Sequence, residues 1–225
     1  MFKYETHLHT APVSLCALAS VRHNLEYYKK LGYDGVFITN HFLDGNISID
    51  NSLPYDQRIN FYFSDYEEGV KLSTEIGIKV FCGIETSYKG TDFLVYGLDK
   101  EWFLDNPQIM NMKMSEKLSF FSQNGALVIQ AHPFYESPWI DHIRLFPKNV
   151  HGVEVENACR TKQVNDRAKQ YANMYELIEF AGSDNHSGEG QVRLAGMCGD
   201  TPINNVQDFI KAVKNKTMKT FKNYE

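Results

Sequence analysis

Two imidazoles separated by one residue stand at the front of the chain, in Glu5-Thr6-His7-Leu8-His9-Thr10. Met1 to Leu8 reads as a strand with Phe2, Tyr4 and Leu8 on one face, which puts Glu5, His7 and His9 on the other. Two imidazoles on one strand face, where the strand runs out, can grip one divalent metal ion. A lone His-x-His is as readily two unrelated histidines, one in the core and one on the surface. The later apolar runs shift that balance, because they too stop at ligand-type residues. Val36-Phe37-Ile38-Thr39 stops at Asn40-His41, Ile78 to Ile84 at Glu85, and Ala126 to Ala131 at His132-Pro133. Val150 to Val155 stops at Glu156-Asn157, and Leu177 to Ala181 at Gly182-Ser183-Asp184-Asn185-His186. Scattered structural histidines have no reason to collect at strand ends. His23, His142 and His151 fall in helix or loop and read as surface residues. His7, His9, His41, His132 and His186, with the carboxylates Glu85 and Asp184, exceed what one ion takes, so two or three ions fit better.

The elements that must position these residues alternate between strand and helix. Leu18, Val21, Leu25, Tyr28 and Leu31 recur at helical steps, with Gly32 placed to end the helix. Phe42 to Phe63 is irregular, and its aromatics Phe61, Tyr62 and Phe63 predict a packed flap over the site. Ser64-Asp65-Tyr66-Glu67 reads as a capping box opening a helix to Ile76. Asp92 to Tyr96 is a short strand closed by Gly97, and Trp102 to Met114 shows no clear pattern. Ser115 to Asn124 and Thr161 to Tyr175 are helical, and Asn205 caps a last helix carrying Val206, Phe209, Ile210 and Val213. No repeat, low-complexity segment or linker interrupts residues 1–225, so the expectation is a single α/β domain. Its sheet is mainly parallel, with the ligand residues at a barrel mouth.

Composition narrows the function classes. The chain has 225 residues, 43% apolar and 23% charged, enough for one sizeable core. A net charge of -5 supplies no basic field for nucleic-acid backbones, though it leaves a small phosphorylated substrate or nucleotide open. Cys16, Cys82, Cys159 and Cys198 are far apart, and no signal peptide is seen, which fits free thiols in a reducing cytoplasm. No apolar run approaches about 18 residues, so no membrane span is expected.

Six segments taken in order carry a resemblance. They are His7-Leu8-His9-Thr10, Ile38-Thr39-Asn40-His41, Gly83-Ile84-Glu85, Ala131-His132-Pro133, Val153-Glu154-Val155-Glu156-Asn157 and Gly182-Ser183-Asp184-Asn185-His186. Together they resemble the motifs of the polymerase-and-histidinol-phosphatase (PHP) superfamily of metal-dependent phosphoesterases, over Glu5 to His186. The resemblance implies a distorted (β/α)7 TIM-like barrel of about seven βα units, with a trinuclear centre at its carboxyl mouth. Carried over by motif, His7, His9, Glu85 and Asp184 hold one ion. Glu85 bridges to a second, also bound by His132, while His41 and His186 hold the third; Asp184 touches more than one. The ions would be Zn, Mn or Fe. Asn40 departs from the Asp common before that histidine and is expected to orient His41 by a hydrogen bond. Asp92 is the candidate where many members have a histidine. Ser14 or Cys16 could supply a further loop ligand, a plain loop thiol being the preferred reading of Cys16. Asn157 reads as a hydrogen-bonding neighbour.

The chemistry implied is hydrolysis of a phosphoester by a hydroxide bridging two ions, with Glu85, Asp184 and Arg193 as the catalytic set. Arg160 and Arg193 follow ligand-bearing strands, and either could clamp distal phosphate oxygens bidentately. Arg193 is the preferred substrate-binding residue, and Arg160 reads as solvated or helix-pairing. Two other readings stand beside this one. An amidohydrolase-like enzyme of an amide or lactone would also use His-x-His, but Glu85 occupies the place where that superfamily usually has a lysine. A non-catalytic metal-binding regulatory domain is the other.

Overall fold

The computed structural model describes residues Met1–Glu225. The apolar runs form β1 (Phe2–Leu8), β2 (Gly35–Ile38), β3 (Lys79–Tyr88), β4 (Thr91–Tyr96), β5 (Leu127–Gln130), β6 (Gly152–Asn157) and β7 (Ile178–Gly182). Two more strands, β8 (Ala195–Gly199) and β9 (Met218–Lys222), lie beyond them in the chain. All nine make one sheet in the order β7-β6-β5-β4-β3-β2-β1-β8-β9, and it curls into a nearly closed barrel. The α/β, distorted TIM-like expectation holds, and the distortion has two sources. β4 runs antiparallel to both neighbours, and β8 and β9 form an antiparallel extension beside β1. Only Lys89-Gly90 separates β3 from β4, and a turn that short can join only antiparallel strands. Both residues take positive φ, 52° and 77°, as a two-residue hairpin turn demands.

The helices are α1 (Val21–Lys30), α2 (Tyr55–Ile76), α3 (Lys100–Asp105), α4 (Met114–Gln123), α5 (Lys162–Met174) and α6 (Val206–Lys214). Ser20, Thr161 and Asn205 cap α1, α5 and α6 by accepting a backbone N–H three residues on. The expected flap does not exist. Phe61, Tyr62 and Phe63 lie on α2, and Ser64-Asp65-Tyr66-Glu67 falls in its middle rather than at its start. Pro54 sets the helix entry, and Ile59, Tyr62, Phe63 and Gly69 then form its buried stripe. Tyr62 Oη donates to the carbonyls of Asn40 and Gly83, each at 3.0 Å, so α2 ties the end of β2 to β3. The stretch without clear pattern, Trp102 to Met114, holds most of α3 and a short 3-10 turn over Pro107–Asn111.

The barrel interior is filled by Tyr4, Phe37, Phe81, Tyr96 and Phe180, closed below by Phe209 of α6. The polar ligand candidates lie above this apolar floor. No helix is long and apolar enough to cross a membrane.

The barrel closes only at its mouth, where β7 meets β1. In place of a ladder there is one parallel bridge, Leu8 to Asn185, with His9 N donating to Asn185 O at 3.0 Å and Asn185 N to His7 O at 3.2 Å. Thr6 Oγ1 donates to Ala181 O, and Ser183 N to the buried Glu5 Oε1 at 2.9 Å. Burial pushes the Glu5 carboxyl up to about 7, against the hydrogen bonds it accepts from Ser183 and His7. Gly182 permits the approach, because a Cβ there would lie 2.4 Å from His7 Cβ and 2.7 Å from Glu154 Oε1. Gly182→Ala therefore has to force the seam apart. We expect it to cost about 1–3 kcal/mol of stability by denaturant unfolding; an unchanged midpoint and slope would show that the seam has slack.

Candidate metal centre

Seven of the sequence-assigned residues meet at the mouth. His7 and His9 come from the end of β1, His41 from just beyond β2, His132 from just beyond β5, and Asp184 and His186 from just beyond β7. Glu85 differs from the expectation: it lies inside β3, which runs on to Tyr88 because β4 pairs with it there. Glu85 N donates to Asn40 O at 3.0 Å, and Phe42 N to Glu85 O at 2.7 Å, so His41 and Glu85 are held side by side. The Glu85 carboxylate is the hub. His41 Nδ1 lies 2.7 Å from Oε2, His9 Nε2 3.5 Å from Oε2, His7 Nε2 3.2 Å from Oε1, and His132 Nε2 3.6 Å from Oε1. Asp184 Oδ1 lies 3.5 Å from both His7 Nε2 and His9 Nε2, and 3.4 Å from His186 Nδ1. Three groups have ligand atoms close enough to share an ion: His7–Glu85–His132, His7–His9–Asp184 and His9–His41–His186.

The hydrogen bonds behind the rings fix which nitrogen faces the centre. His7 Nδ1 lies 3.0 Å from Glu154 Oε1, a carboxylate that can only accept, so Nδ1 carries the proton and Nε2 turns a lone pair inward. Ser14 Oγ has one proton, given to Asn40 Oδ1 at 2.9 Å; it must therefore accept from His9 Nδ1 at 3.1 Å and from His41 N at 3.0 Å. His9 Nε2 is left as a second inward lone pair. His186 Nδ1 donates to Asp184 O at 2.9 Å. His7 Nε2, His9 Nε2, His41 Nδ1 and Glu85 Oε2 are all buried with no hydrogen-bond partner. Orphaned polar atoms inside a protein are costly, and four converging on one space fit cation ligands.

Charge coupling is strong in this cluster. Burial pushes Glu85 up, but His41 and His7 outweigh it and hold the carboxyl well below its usual range; His7, His9 and Arg160 do the same for Asp184. Burial, then His186 and His41, push His9 well below the usual imidazole value. His7 is driven well above it, since Glu154, Asp184 and Glu85 overcome burial. Two ligand candidates also carry uncommon backbone: Asp184 at φ 54° and His132 at φ 24°. Such outliers concentrate where structure around them dictates a side-chain direction.

Around the cluster, several expectations change. Asn40 does not orient His41; its side chain accepts from Thr10 N and Ser14 Oγ and donates to Thr10 Oγ1 and the buried Asp65. It fixes the loop after β1 instead. Asn157 donates to Glu154 Oε2 at 2.7 Å and Asp184 Oδ2 at 3.3 Å. Asp92 stands 3.9 Å from His132 Nε2, beside the three groups rather than in them. The two arginines lie in different surroundings. Arg160 Nη2 donates to Asp184 Oδ2 at 2.8 Å with its guanidinium 3.9 Å over the Tyr135 ring, whereas exposed Arg193 stacks on Tyr224 at 4.2 Å, outside the cluster. His151 is not a surface residue: it is half-buried and accepts from Val128 N at 3.1 Å. Sequence reasoning gave no role to Glu154 or Asp65. For Glu154 there was a signal, since a carboxylate in an otherwise apolar strand demands a partner.

Comparison with known proteins supports this architecture. Residues 162–218 match a family model described as PHP-associated, a segment that includes Asp184 and His186 but none of β1 to β6. No curated protein matches the sequence. A two-domain protein of Bacteroides vulgatus, containing a predicted PHP-like metal-dependent phosphoesterase, shares the fold at TM-score 0.71 and 16% identity. That match covers 98% of this chain and 64% of the other, so this chain spans under two thirds of that protein. PsfC of Pseudomonas syringae aligns at TM-score 0.62 and 16% identity, over 100% of this chain and 93% of its own. An amidohydrolase of Chromobacterium violaceum, solved with sulfate and no metal, aligns at TM-score 0.55 and 11% identity, over 94% and 96%. The resemblance to the PHP superfamily carried by the motifs is borne out by the family-model match and the shared fold.

Proposed function

From a chain built on the PHP fold, we propose hydrolysis of a phosphoester, a small phosphomonoester or a nucleotide, at a centre of two or three divalent ions. The observation that carries the reading is the convergence of buried imidazole nitrogens and carboxylate oxygens in three groups, His7–Glu85–His132, His7–His9–Asp184 and His9–His41–His186, with His7 Nε2 and His9 Nε2 lacking any hydrogen bond. In this reading His7, His9, Glu85 and Asp184 hold one ion, Glu85 and His132 a second, and His41 and His186 a third. Zn, Mn or Fe at such sites supplies Lewis acidity toward a phosphoryl oxygen and brings the pKa of water to about 7. The chain's own residues do the rest. Glu154 and Ser14 hold the His7 and His9 rings in the tautomers that present Nε2, and Asn157 steadies both Glu154 and Asp184. Glu85 would supply the negative charge that offsets the repulsion between the cations it helps to hold. Arg160, rather than Arg193, is the guanidinium within reach of an anion at the mouth, since Asp184 binds only part of its fork.

An amide or lactone hydrolase is the second reading, favoured by the amidohydrolase neighbour alone. Lys117, the buried lysine, does not join the centre; its Nζ is spent on Asp44 Oδ2 at 2.5 Å and Thr86 Oγ1 at 2.9 Å. The test is metal content of the purified protein together with turnover on phosphomonoesters, nucleotides, amides and lactones. We expect more than one tightly held ion per chain and phosphoester turnover that a chelator abolishes. One ion or none after reconstitution would sink the multinuclear reading. Turnover confined to amides or lactones would sink the phosphate one.

A further inference from the structure

A lysine enclosed by protein needs a reason, because taking its charge out of water is costly. Lys117, on the buried face of α4, is the one lysine or arginine that the fold buries, its side chain 3% exposed. Its Nζ donates to Asp44 Oδ2 at 2.5 Å and to Thr86 Oγ1 at 2.9 Å. It also stands 5.6 Å and 5.8 Å from the ring centroids of Phe42 and Phe121. Asp44 is satisfied in turn: Thr86 Oγ1 donates to Oδ2 at 2.6 Å and Ser87 N to Oδ1 at 3.0 Å. Successive side chains on a strand point to opposite faces, so Thr86 stands behind Glu85, on the outer side of the barrel wall. The network therefore backs the wall whose inner side carries the ligand candidates. β2 ends at Ile38, and beyond it the chain keeps to β3 by a single backbone bridge, His41 to Glu85. Asp44, three residues on, makes the next tie to β3 with its side chain. Gly45 completes the fit, since a Cβ there would lie 3.1 Å from both His41 Cβ and Ser87 Oγ.

Resting on the metal reading above, we propose that Lys117 is a positioning residue for the centre. Through Asp44 and Thr86 it locks the loop after β2 to β3, which keeps His41 Nδ1 at 2.7 Å from Glu85 Oε2. Stability alone does not account for the pair, because replacing a buried ion pair by matched uncharged groups is often neutral or stabilising. What the ion pair supplies is direction. A carboxylate that must meet an ammonium, a hydroxyl and a backbone N–H at once has one place to sit, and the loop carrying His41 follows it. Lys117 touches no ligand candidate, so its whole effect passes through the geometry of the loop.

The experiment compares wild type with the double variant Lys117→Met/Asp44→Asn, which removes both charges together and strands neither. Zinc affinity is measured by competition with a chelator, and amide hydrogen exchange on the chelator-treated protein. The double variant is expected to bind its weakest zinc ion about ten- to a hundredfold less tightly, the usual effect of losing support behind a ligand. Exchange over residues 41–46 should quicken while β5 and β6 keep the wild-type rate. Thr86→Val, the same shape without the hydroxyl, should show part of both effects, and Thr86→Ser, which keeps the hydroxyl, should stay within about twofold of wild type. The two Thr86 variants carry the test should the double variant fold poorly. Wild-type zinc affinity and exchange in Thr86→Val and the double variant would overturn the positioning role and leave the centre standing. Faster exchange spread evenly over the chain would also overturn it, by making the pair a matter of overall stability. A wild-type chain that takes up no zinc overturns the metal reading and this proposal with it.

Discussion

Glu85→Gln is expected to empty the centre and to lower kcat/KM by about a hundredfold or more. The change keeps the shape of the side chain and removes one charge, so its effect reports electrostatics. Four imidazoles approach this one carboxylate within 3.6 Å, the nearest being His41 Nδ1 at 2.7 Å from Oε2. An amide in its place offers one weak acceptor and turns an N–H toward cations. Metal-assisted charge stabilisation is worth several kcal/mol, and each 1.36 kcal/mol is about a factor of ten in rate. Metal per chain and steady-state kinetics measured on the same folded preparation decide the matter. Wild-type metal content with a wild-type rate would mean that Glu85 is not the bridge.

Arg160→Ala is expected to lower kcat/KM on a phosphomonoester about ten- to a hundredfold, the worth of a charge-assisted hydrogen bond of roughly 1.5–3 kcal/mol. Arg193→Ala should stay within about twofold, as surface substitutions do. The contrast follows from geometry: Arg160 is stacked on Tyr135 and bonded to Asp184, while Arg193 is packed on Tyr224 away from the cluster. Because Arg160 also faces a proposed ligand, metal content has to be measured in parallel. Arg160→Lys keeps the charge without the planar fork and should recover part of the loss. Equal losses at Arg160 and Arg193 would overturn this contrast, and a loss at Arg193 alone would restore the assignment made from sequence.

Strand ends were legible because a buried strand leaves little doubt about where its apolar run stops, and the chemistry-bearing residues sit just there. The order of motifs did the rest. What was hidden depends on contacts between distant segments. Glu85 reads as a strand terminus, yet pairing with β4 carries β3 three residues further. Phe61-Tyr62-Phe63 reads as a flap because three adjacent aromatics mask a helical stripe that only α2's packing against Phe42 and Phe103 exposes. Asn40 reads as a partner of the next residue, but its hydrogen bonds run back to Thr10 and Ser14 and on to Asp65, all set by tertiary approach. Nothing in the linear order of Arg160 and Arg193 tells which one turns inward; Tyr135 and Tyr224 decide that from segments far away.

The wall between β1 and β7 gives the proposed centre a second duty. Its ligands come from both banks of the seam, His7 and His9 on one side, Asp184 and His186 on the other, where the backbone supplies a single bridge. An ion gripping both banks acts as a rivet through the joint. Any species that binds the closed form alone adds stability by mass action, about 2.7 kcal/mol at a hundredfold excess over its Kd. Metal scarcity would then do more than silence the chemistry: it would unfasten the wall at its mouth and offer that edge to proteases. Supply of the ion and lifetime of the chain would then be one quantity.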